Sequence, residues 1–327
     1  MRRREFIALI GASVAWPFAA MGQQATRTYH LGLVSPVPCK ATPSTSPLTL
    51  AFQDELRHLG FVKDQNLTIA CRDFGPNIDL SSQYAAELVK GPVDVIVAYG
   101  DVAVHAAQQA TKTIPIVAVT DDMVGTGLVS SLARPDGNTT GISILAGELD
   151  GKRQEILIEA VPGVRRIATL ADSKVTLVAK LEALQEAARA RNIELSIYRI
   201  ASGEEIAAAI DMAHASGSAA LNVLASPLLW AYRRVIMDRA AVLRLPAMYQ
   251  WPEMAEEGGF VAYGPRIREI GLELARQIDK VFRGTKIADI PVEQPTKFEL
   301  AVNLKTANAL GLTLPESFLV RADEVID

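Results

Sequence analysis

The chain has 327 residues, 49% of them hydrophobic and 6% aromatic, with a formal net charge of −4 at neutral pH. That length suits two domains of ordinary size, since about 100–200 residues make one. No basic run or patch stands out, which excludes nucleic acid as a partner on charge grounds. Abundant Ala, Val, Ile and Leu with few aromatics suit helices packed on a buried parallel sheet.

The chain opens with Arg2-Arg3-Arg4-Glu5-Phe6 and then runs apolar to Met21. A basic start, a short apolar run and a small-residue exit at Ala20-Met21-Gly22 predict a secretory signal peptide over residues 1–22, cut before Gln23. Arg3-Arg4 followed by Phe6 also resembles the twin-arginine variant of such signals. The apolar run is short of the roughly 20 residues that span a bilayer. A membrane anchor is the competing reading. No cysteine lies near the cut, so a lipid anchor is not expected. The predicted product is a soluble protein exported to the periplasm.

From residue 29 onward short apolar runs alternate with helical patterns. Strands are predicted at 30–35, 67–72, 93–99 and 114–119, with helices at 48–59, 80–90 and 102–111 between them. The pattern then repeats. Helices at 151–160, 175–191, 204–215 and 229–243 alternate with strands at 166–171, 194–200, 219–224, 247–249 and 260–263. A seam between the two units falls near residues 138–147. A long helix at 266–282, a Pro-punctuated segment at 290–295, a strand at 298–303 and a short helix at 305–310 complete the chain. Such β-α alternation predicts an α/β fold of two doubly wound parallel-sheet lobes. Ligands of open α/β sheets bind at the carboxyl ends of the strands. Two such ends facing each other would form a cleft that closes on a hinge.

Cys39 and Cys71 each follow or end a predicted strand, so a disulfide between them is compatible with export; two free thiols remain the alternative. His30, His58, His105 and His214 show no metal-ligand spacing. No nucleophile elbow, paired-cysteine, zinc-protease, P-loop or dinucleotide motif occurs. No enzyme activity, cofactor or metal is therefore expected.

Specific strings carry a resemblance. Residues 113–117 (TIPIV) lead into Thr120-Asp121, followed by GTGLVSSLARPDGNTTG at 125–141, ADIPVE at 288–293 and KFELAVN at 297–303. These strings, within a match running from about Tyr29 to Asp327, resemble the substrate-binding proteins of ABC transporters that include the tryptophan/tyrosine-type members. The resemblance implies a type I periplasmic-binding-protein-like fold with three crossovers. It implies a first lobe of residues 23–143 plus 266–284 and a second of 144–265 plus 285–327. It implies a carrier that delivers a small solute to an ABC permease in the inner membrane; a monomer is expected. A sensory protein that presents its ligand to a membrane receptor is the alternative, and an exported α/β enzyme a third. Family members commonly carry Asp-Pro where this chain has Asp121-Asp122, which adds a carboxylate at the cleft.

Candidate ligand-binding residues are those at strand ends. Ser35 could donate to a carboxylate or cap a turn. Gly100 and Asp101 open a helix, where backbone N–H groups attract anions, although Asp101 is also a natural N-cap. Thr120 and Asp121 could hold a carboxylate and an ammonium. In the second unit the strand ends bring Asp172, Ser173, Ser226, Tyr249, Trp251 and Tyr263. Tyr249 and Trp251 could stack on an apolar or aromatic ligand. With Asp101, Asp121 and Asp122 near one another and no cation in those turns, an amine-bearing solute such as an amino acid is expected.

Overall fold

The computed structural model describes residues 27–36, 38–39, 47–75 and 77–327. The expected signal peptide, residues 1–22, and residues 40–46 lie outside the described residues. The first unit comprises β1 (Tyr29–Ser35), α1 (Pro47–His58), β2 (Leu67–Asp73), α2 (Leu80–Val89), β3 (Val95–Tyr99), α3 (Asp101–Ala110), β4 (Ile116–Thr120) and β5 (Thr139–Ser143). The second runs α4 (Asp150–Ala160), β6 (Arg166–Asp172), α5 (Val178–Ala190), β7 (Glu194–Ile200), α6 (Glu205–Ala215), β8 (Ala220–Val223), α7 (Pro227–Ala231), α8 (Arg233–Val242), β9 (Ala247–Tyr249), α9 (Pro252–Glu256) and β10 (Val261–Gly264). Then come α10 (Ile267–Phe282), β11 (Glu299–Asn303), α11 (Leu304–Ala309), α12 (Glu316–Leu319) and β12 (Glu324–Ile326).

The strands form two sheets, ordered β2-β1-β3-β4-β5 and β12-β11-β10-β9-β8-β6-β7. Every pair in the first is parallel. Its central strands are apolar throughout because helices cover both faces: Val95, Ile96, Val97 and Ala98 are fully buried, as are Ile116, Val117 and Ala118. The fold is thus the expected pair of α/β lobes, with one departure. β11 runs antiparallel to β10, and β12 lies parallel beside β11 at the sheet edge. The chain re-enters this lobe from α10 and so arrives from the opposite end of the sheet.

α10 returns to the first sheet, packing on α1 and touching β3, β4 and β5. Its apolar stripe, Ile267, Ile270, Leu274, Ala275, Ile278 and Phe282, follows the helical period. Gly271 lets the two helices approach, since an added Cβ would overlap the Leu48 carbonyl oxygen.

The sequence pattern does not predict β5, because Thr139-Thr140-Gly141-Ile142-Ser143 carries no apolar run. It is nevertheless wholly buried, and its polar groups are met by the chain around it. The Thr140 hydroxyl donates to the Ile290 carbonyl at 2.7 Å, and Gln277 of α10 donates to the Gly141 carbonyl at 3.1 Å. The Glu293 N–H donates to the Gly141 carbonyl and the Ser143 N–H to the Glu293 carbonyl, both at 2.9 Å. Residues 290–293 therefore stay with the first sheet beyond residue 284, where the sequence reading changes lobes.

Two predicted helices change shape. The helix expected at 229–243 divides into α7 and α8 at Tyr232, whose ψ of 16° leaves the helical range. The helix expected from residue 175 begins at Val178, because Asp172 organises the preceding turn. Its carboxylate accepts the Lys174 N–H and its carbonyl the Thr176 N–H, both at 2.9 Å.

Candidate functional site

The carboxyl ends of both sheets approach one another. A Cβ added to Gly100, after β3, would lie 3.9 Å from Pro227 at the start of α7. Lys180 of α5 reaches across to Asp121 after β4, with Nζ 3.5 Å from Oδ2.

On the first lobe, Gly100 rather than Asp101 is the N-cap of α3, at a φ of 78° that favours glycine. Asp101 is the first helical residue, so the expected capping role is corrected. Its carboxylate instead accepts the Thr120 hydroxyl. Burial pushes the Asp101 carboxyl above its ordinary range; the Thr120 bond and, more weakly, His105 oppose this, while the Asp121 and Asp122 charges add to it. No ion-pair partner of Asp101 occurs among the described residues. Tyr99, one residue before this cap, is partly covered by the core, and burial pushes its phenol up. Asp121 is engaged differently. Its carboxylate accepts the Gly147 N–H at 2.9 Å and faces Lys180. Asp122 accepts the Gly125 N–H at 2.8 Å on the exposed rim. Ser35 ends β1 buried, and its carbonyl accepts the Phe74 N–H at 3.0 Å.

The loop after β1 is tied to β2. Cys39 and Cys71 form a disulfide with a Cα–Cα distance of 6.0 Å, and the Cys39 N–H donates to the Asp73 carboxylate at 3.3 Å.

On the second lobe, Ser226 caps α7, accepting the Leu229 N–H at 2.9 Å. The buried Asp172 holds the turn described above, and the Ser173 carbonyl accepts a guanidinium N–H of Arg199 at 3.2 Å. Trp251 follows β9 and meets Trp230 of α7 edge to face, with ring centroids 6.5 Å apart. Arg233 stacks over the Trp230 ring at 4.1 Å, and its guanidinium pairs with Glu257 at 2.8 Å.

Two expected aromatic contributors sit elsewhere. Tyr249 is 1% exposed within the main apolar core. A Cβ on Gly259 would fall 2.7 Å from its ring, so the ring packs towards the start of β10. Strand alternation explains this: Tyr249 and Ala247 point to the face covered by α6 and α8. The Tyr263 ring packs on Phe298 at 6.5 Å and on the other face of the sheet. Only its carbonyl takes part in the inter-lobe connection.

That connection depends on a residue the sequence reading passed over. Arg153 in the first turns of α4 is fully buried. It donates to the carbonyls of Tyr263 (2.8 Å), Ala146 (2.6 Å) and Gln250 (3.3 Å), and to Asp150 at 2.9 Å. It thereby holds the crossover at 144–149 against the ends of β9 and β10. Burial raises the Asp150 carboxyl to about 6, against the opposing pull of Arg153. Trp230 carries a sequence signal, since Pro227 opens a helix that places it on the turn facing the β9 end. Lys180 and Arg153 carry none, because each acts on groups distant in the chain.

Among the described residues no cluster of His, Cys, Asp and Glu could hold a metal ion, and no helix is long and apolar enough to cross a membrane.

Comparison with known proteins agrees with this arrangement. The chain is 26% identical to a tyrosine-binding protein of Clostridioides difficile over 83% of this chain and 78% of that one. A conserved domain protein of Vibrio cholerae shares its fold with a TM-score of 0.80 at 24% identity, covering 91% of this chain and all of that one. An ABC domain of Streptococcus pneumoniae solved in complex with L-Trp does so with a TM-score of 0.78 at 24% identity and the same coverage. The profile of the ABC transporter substrate binding proteins matches residues 42–326, and the chain belongs to that family.

Proposed function

We propose that this protein is the periplasmic solute-binding component of an ABC importer. It works as a monomer, captures a small amine-bearing solute with an aromatic or apolar side chain between its lobes, and delivers it to a membrane permease. The observation that carries the reading is the contrast between the facing rims. The first lobe offers Asp101, a partly buried carboxylate bonded to Thr120, with no ion-pair partner among the described residues. The second offers Trp230, partly exposed and packed edge to face on the buried Trp251. A ligand ammonium would supply a counter-charge to this partly buried carboxylate. An aromatic side chain would meet ring edges and faces on the opposite wall. The tyrosine-binding relative and the L-Trp complex support this ligand class. Ser35, Gly100, Thr120, Ser173 and Ser226 would complete the polar contacts, with Asp172 shaping the second rim.

A thermal-shift screen of L-tryptophan, L-tyrosine, other amino acids, aromatic acids and small dicarboxylates tests the reading. A ligand bound only by the native state raises stability by about 2.7 kcal/mol at a hundred times its Kd. An aromatic amino acid should give the largest shift and be recovered unchanged. Asp101→Asn should weaken its binding more than tenfold, about 1.4 kcal/mol. Tight binding of simple dicarboxylates, or chemical conversion of the ligand, would sink this assignment.

A further inference from the structure

Three parts of the chain converge at one point beside the cleft. The first is the end of β4, where the Asp121 carbonyl accepts the Leu145 N–H at 2.8 Å and its carboxylate the Gly147 N–H at 2.9 Å. The second is the crossover itself. Leu145 sits at a φ of 53°, a left-handed conformation that a leucine adopts only when its surroundings impose it. The third is α5 of the second lobe, whose Lys180 places Nζ 3.5 Å from Asp121 and 3.8 Å from Glu148. The approach is close enough that a Cβ on Gly147 would overlap Lys180 Nζ and lie 2.6 Å from Asp121 Oδ2, so these side-chain ends would have to shift to admit one.

Asp121 therefore carries two tasks at once. One carboxylate oxygen fixes the crossover, and the other meets a cation from the opposite lobe. α5 is anchored in the second lobe through Leu181 and Leu184, which pack with Ala171 and Leu224. The Lys180–Asp121 contact is thus a bond between lobes. A contact present in one lobe arrangement and absent in another shifts the equilibrium between them by its own free energy.

We propose that Lys180 is a positioning residue. It latches the two lobes together through Asp121 and Glu148 and so sets how strongly the cleft holds its solute. This rests on the solute-binding reading above for its effect on affinity, but not for its effect on lobe geometry. It also changes the role of Asp121. That carboxylate, first expected to meet a ligand ammonium, spends its charge on Lys180, which leaves Asp101 as the carboxylate for the ligand.

The pair is partly exposed, so its effect is modest and salt-sensitive. An ion pair of this exposure changes an equilibrium by about 1.5- to fivefold.

The test compares the native protein with Lys180→Met, Asp121→Asn and the double variant. Spin-label distances between exposed sites on the two lobes are measured without ligand, and L-tryptophan affinity and dissociation rate are measured alongside. Each single variant should lengthen the mean inter-lobe distance and speed L-tryptophan release by about 1.5- to fivefold. The double variant should be no worse than the worse single, because both remove one interaction. Raising salt to 1 M should lengthen the native distance and leave Lys180→Met unchanged. Unchanged inter-lobe distances and salt response in Lys180→Met would overturn the latch. Failure of the native protein to bind L-tryptophan would count against the proposed ligand class, while the distances would still decide the latch.

Discussion

Two ion pairs flank the crossover at residues 144–149, and they differ in almost everything except charge. Asp150–Arg153 is dry, with side-chain exposures of 7% and 0%. Asp121–Lys180 is wet, at 39% and 31%. Arg153 donates from all three of its guanidinium nitrogens to fixed acceptors, three of them backbone carbonyls from separate segments. Lys180 is a flexible point charge shared between two carboxylates. The buried pair is costly to form and costlier to break, because removing one partner strands a charge away from water. The exposed pair exchanges water for protein at little net gain or loss. The first is built to be permanent, the second to be made and released. A two-lobed binding protein needs both: a fixed clasp where the chain crosses and an adjustable contact where the lobes meet.

The largest test of that contrast is Arg153→Met. Methionine fills part of the space but leaves Asp150 buried without its counter-charge, and leaves the carbonyls of Ala146, Gln250 and Tyr263 without this donor. Loss of one partner of a buried pair costs about 3–5 kcal/mol. Urea denaturation should show a loss in that range. A loss below about 1 kcal/mol would mean that the clasp is not structural and that the two pairs do not differ in kind.

The same comparison shows what the sequence made legible. Strands such as β3 and β4 read directly, because burial on both faces demands unbroken apolar runs. The rims read in part, because strand ends can be located even when side-chain directions cannot. Thus Asp101, Thr120, Ser226 and Trp251 lie at the strand ends and helix starts where the pattern placed them. Tyr249 did not read correctly: the strand phase that turns it into the core depends on which face α6 and α8 cover. β5 stayed hidden because its polar residues are satisfied by Gln277, Ile290 and Glu293, more than a hundred positions away. Arg153 and Lys180 stayed hidden for the same reason. Their meaning lies in partners that only the folded chain supplies. The Asp121-Asp122 pair could be seen, but its neutralising cation could not.

A pH series separates the clasp from the rest of the protein. The Asp150 carboxyl is raised to about 6 in the folded chain by burial. Between its ordinary value near 4 and about 6 the folded state holds a proton that the unfolded state has released. This group's contribution to stability is therefore fully present below pH 4 and declines as pH rises to about 6. Urea midpoints of the native protein and Asp150→Asn, measured from pH 4 to pH 7, should differ in slope over that window. The variant should be flatter, since asparagine keeps an acceptor for Arg153 but cannot titrate. Parallel curves would show that Asp150 ionises as an ordinary surface carboxylate does.

The smallest expected effect sharpens the wet side of the comparison. Gly147→Ala alters no charge, yet its new methyl would occupy the place where Lys180 Nζ approaches Asp121. Both groups it meets are ends of side chains, and Gly147 is not among the glycines at positive φ, so the backbone accommodates alanine. Stability should change by less than about 1 kcal/mol, as for other partly exposed sites. Solute affinity should fall by no more than it does in Lys180→Met, and combining the two changes should add nothing, because both act on one contact. Additive losses would mean that Gly147 serves the crossover backbone instead of the latch. No loss at all in Gly147→Ala, with Lys180→Met impaired, would mean that Lys180 acts through Glu148 alone. The Asp121 carboxylate would then be needed only for its bond to the Gly147 N–H.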